Sequence, residues 1–302
     1  MILNLIGTIG ALLICFVWLG FLRRLDIFEP EKWKFTLLAT GLGALSTLLL
    51  TILISLPPIQ QLQVIGDQGH DLLFFIFRVG LLEEFTKFIP LLVMVRITKE
   101  VDEPYDVLKY AMCSALGFAT VENIVYFSHY GAPIIDTRAY ISVLAHLCFT
   151  CIFAYGYIRH PMLKLGTGAG NMLLFGGSAI FLHGIFDFFL SYSHYFVLFL
   201  ILIYFLVIVL RNMINIALNF SPWFHEDKFH KAAEAFQWLF FGLLVVFIYA
   251  ALAVYLESGY PLFLKFIGSS IVLSGTAAVF IPGVFSRIVL VKESIIDLIT
   301  RK

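Results

Sequence analysis

Two glutamates and a lysine lie within an apolar stretch, residues 72–95, that is long enough to cross a bilayer as a helix. Inside hydrocarbon, Glu83, Glu84 and Lys87 are costly to bury unless they pair with one another or face a polar cavity. Lys87 is four and three residues away from the two carboxylates, so on a helix it can neutralise one of them. Because successive helical residues point about 100° apart, the two carboxylates cannot face the same partner. The stretch indicates either a structural ion pair or a polar active site inside the membrane.

Three later apolar stretches also carry polar side chains. In chain order these are Glu122 with Asn123, then His146, then His183 with Asp187. At about 1.5 Å of rise per residue, the ionisable groups lie between about 8 and 16 Å below the outer ends of their helices. Four helices therefore place acids and imidazoles at a similar depth in the outer half of the membrane.

The pairing of these residues can be read in part from their spacing. Asp187 follows His183 by four residues, so this carboxylate is placed to fix the tautomer of the imidazole. Glu122 has no basic residue within one helical turn, which excludes an ion pair within its own helix. We expect Glu122 to be protonated, bound to a metal, or paired with a histidine or lysine from another helix.

Two glutamates, two histidines and an aspartate suit peptide hydrolysis. This reaction needs an activated water, a base that takes its proton, and a group that stabilises the tetrahedral oxyanion. The sequence has no His-Glu-x-x-His motif, so the usual helix of zinc peptidases is absent. A site for Zn²⁺ or another divalent metal can still form between helices, with His146, His183 and Glu122 as ligands around an open position. The sequence leaves open whether the water is activated by such a metal or by a glutamate alone.

The composition is that of a polytopic membrane protein. The 302 residues are 61% hydrophobic and 13% charged, which leaves too little polar surface for a soluble domain of this length. Lys and Arg balance Asp and Glu at 20 each, and no basic tract suggests nucleic acid as a partner. The four cysteines all lie in apolar stretches and do not indicate a disulfide framework.

The pattern predicts an all-α transmembrane bundle of about nine spans. The predicted spans are residues 2–22, 35–56, 72–95, 107–129, 139–158, 172–192, 195–213, 236–256 and 262–290. Most lysines and arginines follow the odd-numbered spans, including Arg287, Lys292, Arg301 and Lys302 at the end of the chain. Positive residues are retained in the cytoplasm, so we expect the N-terminus outside and the C-terminus inside.

Four ordered motifs resemble the PrsW family of intramembrane proteases, within the wider group of CAAX-processing and bacteriocin-processing membrane endopeptidases. The motifs cover about residues 71–190. They are Glu83-Glu84-x-x-Lys87, Asp102-Glu103-Pro104 leading to Gly117-Phe118-Ala119-x-x-Glu122-Asn123, His146 with Thr150 and Gly156-Tyr157, and His183-Gly184-x-x-Asp187-Phe188.

The resemblance implies an endopeptidase that cuts membrane-anchored proteins, with the first, outer-side cleavage of an anti-sigma factor as the best-known activity. It implies that Glu83 and Glu84 carry the catalytic carboxylate with Lys87 as the neutralising partner. Glu122 would be a second acid or ligand, and His183 would complete the site. It also implies supporting roles for the remaining motif residues, Asn123, His146 and Asp187. The family is often described as metal-dependent, whereas a metal-free glutamate mechanism has been argued for its broader relatives.

The sequence thus predicts one multi-pass domain, residues 1–302, in the cell membrane. Its catalytic core is predicted at about residues 71–192, with accessory spans at about 1–56 and 195–290. Two other functions use the same residues. An ion- or proton-coupled transporter would relay protons along them, although no inverted repeats or broken pairs of spans are evident. A non-catalytic scaffold would use them only to hold helices together.

Overall fold

The computed structural model describes residues 2–289, and these residues form helices and turns without a β-strand. The all-α prediction is therefore confirmed. The main helices are α1 (Ile2–Leu25), α2 (Trp33–Ser55), α3 (Leu81–Ile97), α4 (Pro104–Tyr130), α5 (Val143–Arg159), α6 (Gly177–Ser191), α7 (Phe196–Asn219) and α8 (Phe229–Phe285). Short helical turns at Pro57–Gln60, Gln68–Phe74, Ala132–Ile134, Ile135–Thr137, Gly168–Asn171, Ser193–Tyr195 and Glu226–Lys228 lie between them.

Six helical segments of the described chain are long and apolar enough to cross a membrane, which makes this a multi-pass membrane protein. They are Asn4–Leu25, Trp33–Ser55, Ala132–Arg159, Gly168–Ser191, Ser193–Asn219 and Ala232–Phe285. The predicted count of nine also includes α3, α4 and a division of α8. The end of the predicted last span, residue 290, lies outside the described residues, as do Lys292, Arg301 and Lys302.

Helix α8 consists of two arms that fold back on each other. Gly259 has a φ of 77°, which is not helical, and Pro261 follows it. The rings of Phe247 and Phe266, one on each arm, have centroids 6.1 Å apart. The second arm ends beside α1, where Phe285 packs against Phe21 with ring centroids 5.2 Å apart. Gly259 therefore turns the chain back along the bundle, because glycine adopts positive φ without the steric cost of a Cβ atom.

Segments of π-helix precede three of the main helices. They are Phe75–Gly80 before α3, Arg138–Ser142 before α5, and Met172–Gly176 before α6. A π-helical turn inserts one residue relative to an α-helix and is frequent at functional sites. Each insertion rotates the upstream residues by about 100° relative to the helix that follows. The three helices that follow carry Glu83, His146 and His183.

Helix α6 packs closely against the π-helical segment Phe75–Gly80, and glycines make this contact possible. A Cβ atom on Gly184 would lie 2.6 Å from the Cα of Ile76, and one on Gly80 would lie 2.5 Å from the carbonyl oxygen of Ile180. Small residues of this kind let transmembrane helices approach until their backbones touch. The contact determines the position of His183, which is next to Gly184 in the chain.

The inner end of α4, in the predicted orientation, carries a buried polar cluster. Lys109 is fully buried, with its Nζ 2.6 Å from Oδ2 of Asp26 and 3.3 Å from Oδ1 of Asp106. Glu103, in the loop before α4, accepts a hydrogen bond from the Ser221 hydroxyl. Burial raises the pKa of Glu103 to about 7. The folded state therefore holds a proton that an exposed glutamate would release at lower pH.

We predict that replacing Gly184 by Ala destabilises the protein by on the order of 2 kcal/mol, because the new methyl group meets backbone atoms that cannot move freely. Thermal unfolding of the detergent-purified protein measures this effect. The matched control is Gly177→Ala on the same helix, where nothing lies within 4 Å of the added Cβ atom. Equal unfolding temperatures for the two variants would contradict the close contact.

We also predict that stability decreases as the pH rises from 5 to 8. A carboxyl group whose pKa is higher in the folded state favours folding below its unfolded pKa, and this contribution is lost as pH rises through about 7. Replacing Glu103 by Gln, which carries no charge at any pH, should make the dependence smaller by on the order of 1–2 kcal/mol. Urea unfolding of wild type and variant at pH 5 and 8 measures the difference, and parallel pH profiles would contradict the prediction.

Candidate active site

The buried ammonium of Lys87 lies at the centre of a network formed by α3, α4, α5 and α6. Its Nζ is 2.9 Å from Oε2 of Glu83, 3.0 Å from Oε1 of Glu84 and 2.8 Å from Nδ1 of His146. It also lies 4.4 Å from the ring centroid of Phe118. The sequence spacing predicted that Lys87 neutralises one carboxylate and that the two acids cannot face the same partner. That prediction was wrong, because the long lysine side chain brings its Nζ within hydrogen-bond distance of both. The bond to His146 joins α3 to α5.

Glu84 is completely buried and contacts three different side chains. Its Oε2 accepts a hydrogen bond of 2.8 Å from the Thr150 hydroxyl, and its Oε1 is 2.8 Å from Nδ1 of His183. Oε1 also contacts Lys87. A carboxylate in this position fixes the tautomer of His183, with the proton on Nδ1 and a free lone pair on Nε2.

His183 therefore presents Nε2 to the remaining acids. This nitrogen is 3.4 Å from Oδ2 of Asp187 and 3.7 Å from Oε2 of Glu83. The imidazole ring stacks on Phe149, with centroids 4.7 Å apart. The spacing on α6 pointed to Asp187 as the carboxylate that fixes this histidine, but the shortest contact belongs to Glu84, from a different helix.

His146 joins Lys87 to Glu122. Its Nε2 is 2.9 Å from Oε2 of Glu122, while its Nδ1 contacts Lys87. The arrangement fits a neutral imidazole that donates from Nε2 to the carboxylate and accepts at Nδ1 from the ammonium. Glu122 thus has a histidine partner from another helix, one of the states expected from the sequence.

Arg138 is a second partner of Glu122 that the sequence analysis did not include in the site. Its Nη2 donates to Oε2 of Glu122 over 2.6 Å, and its Nε donates to Oδ1 of Asn123. Its guanidinium lies 3.9 Å from the ring centroid of Tyr126. The available signal was that Glu122 had no cation on its own helix, while this arginine lay near the outer ends of the spans.

A cavity of about 690 Å³ opens onto this network. It is bordered by Glu83, Glu122, Arg138, His146, His183 and Asp187 and otherwise mainly by apolar and aromatic side chains, among them Phe75, Tyr126, Ile141, Phe149, Phe186 and Phe199. Glu83 retains 12% side-chain exposure, whereas Glu84 and Lys87 have none and do not line the cavity. All eight residues predicted from the sequence thus belong to one connected network. The two adjacent glutamates differ in that Glu83 lines the cavity and Glu84 does not.

The residues present also fit a divalent metal. Ligand atoms of Glu83, His146 and His183 lie within 4.8 Å of one another, and two imidazole nitrogens with one carboxylate oxygen form a common donor set of catalytic zinc. Glu84 supplies the outer carboxylate that such a ligand histidine usually has. Coordination by His146 would require it to release a hydrogen bond to Glu122 or Lys87. The sequence predicted Glu122 as the carboxylate ligand, whereas the acid grouped with both imidazoles is Glu83.

Comparison with known proteins identifies one family. The model for "PrsW family intramembrane metalloprotease" matches residues 31–211. One similar protein is Protease PrsW of Oceanobacillus iheyensis, which is 31% identical over 43% of this chain and 61% of the relative. Another is Protease PrsW of Geobacillus kaustophilus, which is 37% identical over 36% of this chain and 48% of the relative. Protease PrsW of Clostridioides difficile is 30% identical over 59% of this chain and 72% of the relative. The chain thus spans 61% and 48% of the length of the first two relatives. No solved structure matches it.

We predict that replacing Lys87 by Met destabilises the protein by about 3–5 kcal/mol, because Glu83 and Glu84 would be left without their buried cation. Adding Glu84→Gln to this variant should recover part of the loss, since one of the two uncompensated charges is removed. Thermal unfolding in detergent measures both effects. Lys265→Met, which removes an exposed lysine on α8, is the control. If Lys87→Met were no more destabilising than this control, the ammonium would not support the network.

Proposed function

This chain belongs to the PrsW family of intramembrane metalloproteases, and from this membership and the geometry of the site we propose that it is an endopeptidase that cleaves membrane-anchored proteins in the outer half of the bilayer. One observation carries the proposal. A carboxylate, that of Glu83, borders a large and mainly apolar cavity together with the imidazoles of His146 and His183. A cavity of this kind suits a hydrophobic peptide segment and excludes bulk water from the reacting bond.

In the proposed reaction without a metal, Glu83 is the general base. It takes a proton from a water molecule as the water oxygen attacks the carbonyl carbon of the peptide bond, and the carbonyl electrons move to the oxygen. When the tetrahedral intermediate collapses, the C–N bond breaks and Glu83 returns the proton to the leaving nitrogen. The Nε2 lone pair of His183 and the carboxylate of Glu122 position the water by accepting hydrogen bonds from it.

The buried residues act by positioning. Glu84 holds the tautomer of His183, and Lys87 compensates the two adjacent acids while contacting His146. Asn123 and Asp187 support the site from its margins, the first through Arg138 and the second beside Nε2 of His183. In this assignment Glu83 reacts with the water, and Glu84 acts only by positioning His183. The sequence left open which of the two glutamates reacts.

A divalent metal, with zinc as the first candidate, would be held by His183, Glu83 and His146. The alternative triad from the sequence places Glu122 in the position of Glu83. A metal bound there would supply Lewis-acid chemistry, polarising the carbonyl and lowering the pKa of water.

We propose that the chain crosses the membrane nine times, with its N-terminus outside and its C-terminus in the cytoplasm. Three observations support this count. Residues 68–97 are helical throughout and, like α4, are long enough to cross. The apolar segment Ala232–Phe285 of α8, which has 54 residues, is longer than one crossing needs and folds back at Gly259. The catalytic core would then comprise about residues 71–192, flanked by accessory spans at about 1–56 and 195–290.

The proposed substrate is a protein with a single membrane anchor, and a membrane-bound anti-sigma factor is the leading example. The proposed location is the plasma or inner membrane of the cell. The depth of the site agrees with a cut near the outer surface, because Glu83, Glu122 and Arg138 border a cavity that reaches Ser191 and Phe196 at the outer ends of their helices.

We predict that Glu83→Gln reduces cleavage at least about 100-fold while the protein still inserts and unfolds at a similar temperature, because the amide cannot accept the proton from water. The assay is cleavage of a tagged single-span peptide by the detergent-purified protein. Glu234→Gln, at an exposed position on α8, is the matched control.

The same assay run with and without a chelator distinguishes the two modes of water activation. Loss of cleavage that is restored by Zn²⁺ indicates a metal, and resistance indicates a glutamate mechanism. Full activity of the Glu83→Gln variant would refute the assigned base. Ion or substrate flux in liposomes without peptide cleavage would favour a transporter instead.

A further inference from the structure

We infer that Arg138 is a substrate-binding residue, which donates hydrogen bonds to a main-chain carbonyl oxygen of the peptide in the cavity while it holds Glu122 and Asn123 in place. The inference rests on the proposed function, since it assigns the occupant of the cavity as a peptide.

The guanidinium of Arg138 is oriented by three neighbours. Glu122 and Asn123 accept hydrogen bonds from Nη2 and Nε, and the ring of Tyr126 lies against its face. These contacts come from two successive turns of α4. They leave the side chain with little rotational freedom, so little conformational entropy is lost when it binds a further group.

Part of this guanidinium remains available to a ligand. Arginine has five N–H donors, and only those on Nε and Nη2 are used by acceptors within the described part of the chain. The side chain retains 13% exposure and borders the cavity. Donors that face a mainly apolar cavity are costly to leave without an acceptor, which makes them a specific binding point for one.

The charge of the site favours a neutral acceptor. The guanidinium already forms an ion pair with Glu122, whose carboxylate lies 2.6 Å away. A second carboxylate from the substrate would be repelled by Glu122 and would have to lose its hydration. A peptide carbonyl has no charge to desolvate, and a peptide within hydrocarbon has few other donors to offer it.

The π-helical turn Arg138–Ser142 explains how an arginine at this position reaches the site. On a straight α-helix, residues eight apart, such as Arg138 and His146, would point about 80° away from each other. An insertion that absorbs one residue reduces this difference to about 20° in the opposite sense. Both side chains then reach the same oxygen, Oε2 of Glu122. The backbone irregularity therefore places Arg138 on the catalytic side of its helix.

The inference is tested by substrate binding, which does not depend on cleavage. In a Glu83→Gln background, a fluorescent single-span peptide is titrated against the detergent-purified protein with and without Arg138→Met. We expect Arg138→Met to raise the Kd about 10-fold, and Arg138→Lys to restore only part of the affinity because lysine cannot contact both Glu122 and Asn123 while binding the peptide. The control is Arg78→Met, since Arg78 is also half-buried but donates to the Ile59 carbonyl and does not line the cavity.

A second measurement identifies the atom that Arg138 contacts. A series of peptides is made in which one amide at a time is replaced by a thioamide, whose sulfur is a weaker hydrogen-bond acceptor than the carbonyl oxygen while the N–H is retained. Replacement of the amide at one position should weaken peptide binding about 10-fold for the protein that has Arg138. The same replacement should have no effect on binding to the Arg138→Met variant. An unchanged Kd for Arg138→Met, or the same profile along the series for both proteins, overturns the inference. Failure of the protein with Glu83 to cleave the unmodified peptide is a separate result, which refutes the proposed function and not the binding role.

Discussion

The structure depends on one buried interaction, the contact of the Lys87 ammonium with two carboxylates and an imidazole. In hydrocarbon, a lone carboxylate or ammonium is too costly to keep charged, and each of these groups is tolerated only because the others are there. The contact joins α3 to α5 directly through His146. Through Glu84 and His183 it extends to α6, and through Glu122 to α4. Four helices are therefore linked by polar groups, in a region where apolar packing alone has little power to choose one arrangement.

The same interaction places the two adjacent acids in different surroundings. Because they are neighbours on one helix, they point about 100° apart, and a single cation between them leaves each with a different second environment. Glu84 faces the protein interior, where a threonine hydroxyl and an imidazole complete its hydrogen bonds. Glu83 faces the cavity and keeps part of its surface exposed. Glu84 is therefore held rigidly by buried partners, whereas Glu83 stays accessible from the cavity.

Close backbone contacts and π-helical turns bring these side chains to a common point. Gly80 and Gly184 allow the segment before α3 and the middle of α6 to touch, which places His183 beside the acids of α3. The π-helical segments lie just before the three helices that supply Glu83, His146 and His183. Both features cost stability locally, since glycine weakens a helix and a π-turn has poorer hydrogen-bond geometry. They are compensated by the polar network that they make possible.

The sequence by itself determined the helical membrane architecture, the family and the eight polar residues of the network. Hydropathy and i, i+4 spacing are local properties, and they suffice to predict that Lys87 pairs within α3 and that acids and imidazoles lie at a similar depth. Only the tertiary structure decided which of the two glutamates borders the cavity, that Glu84 rather than Asp187 makes the shortest contact with His183, and that Arg138 joins the site. These facts depend on how neighbouring helices are rotated. That rotation is determined by glycine contacts and by single-residue insertions in the backbone, neither of which leaves a periodic signal in the sequence.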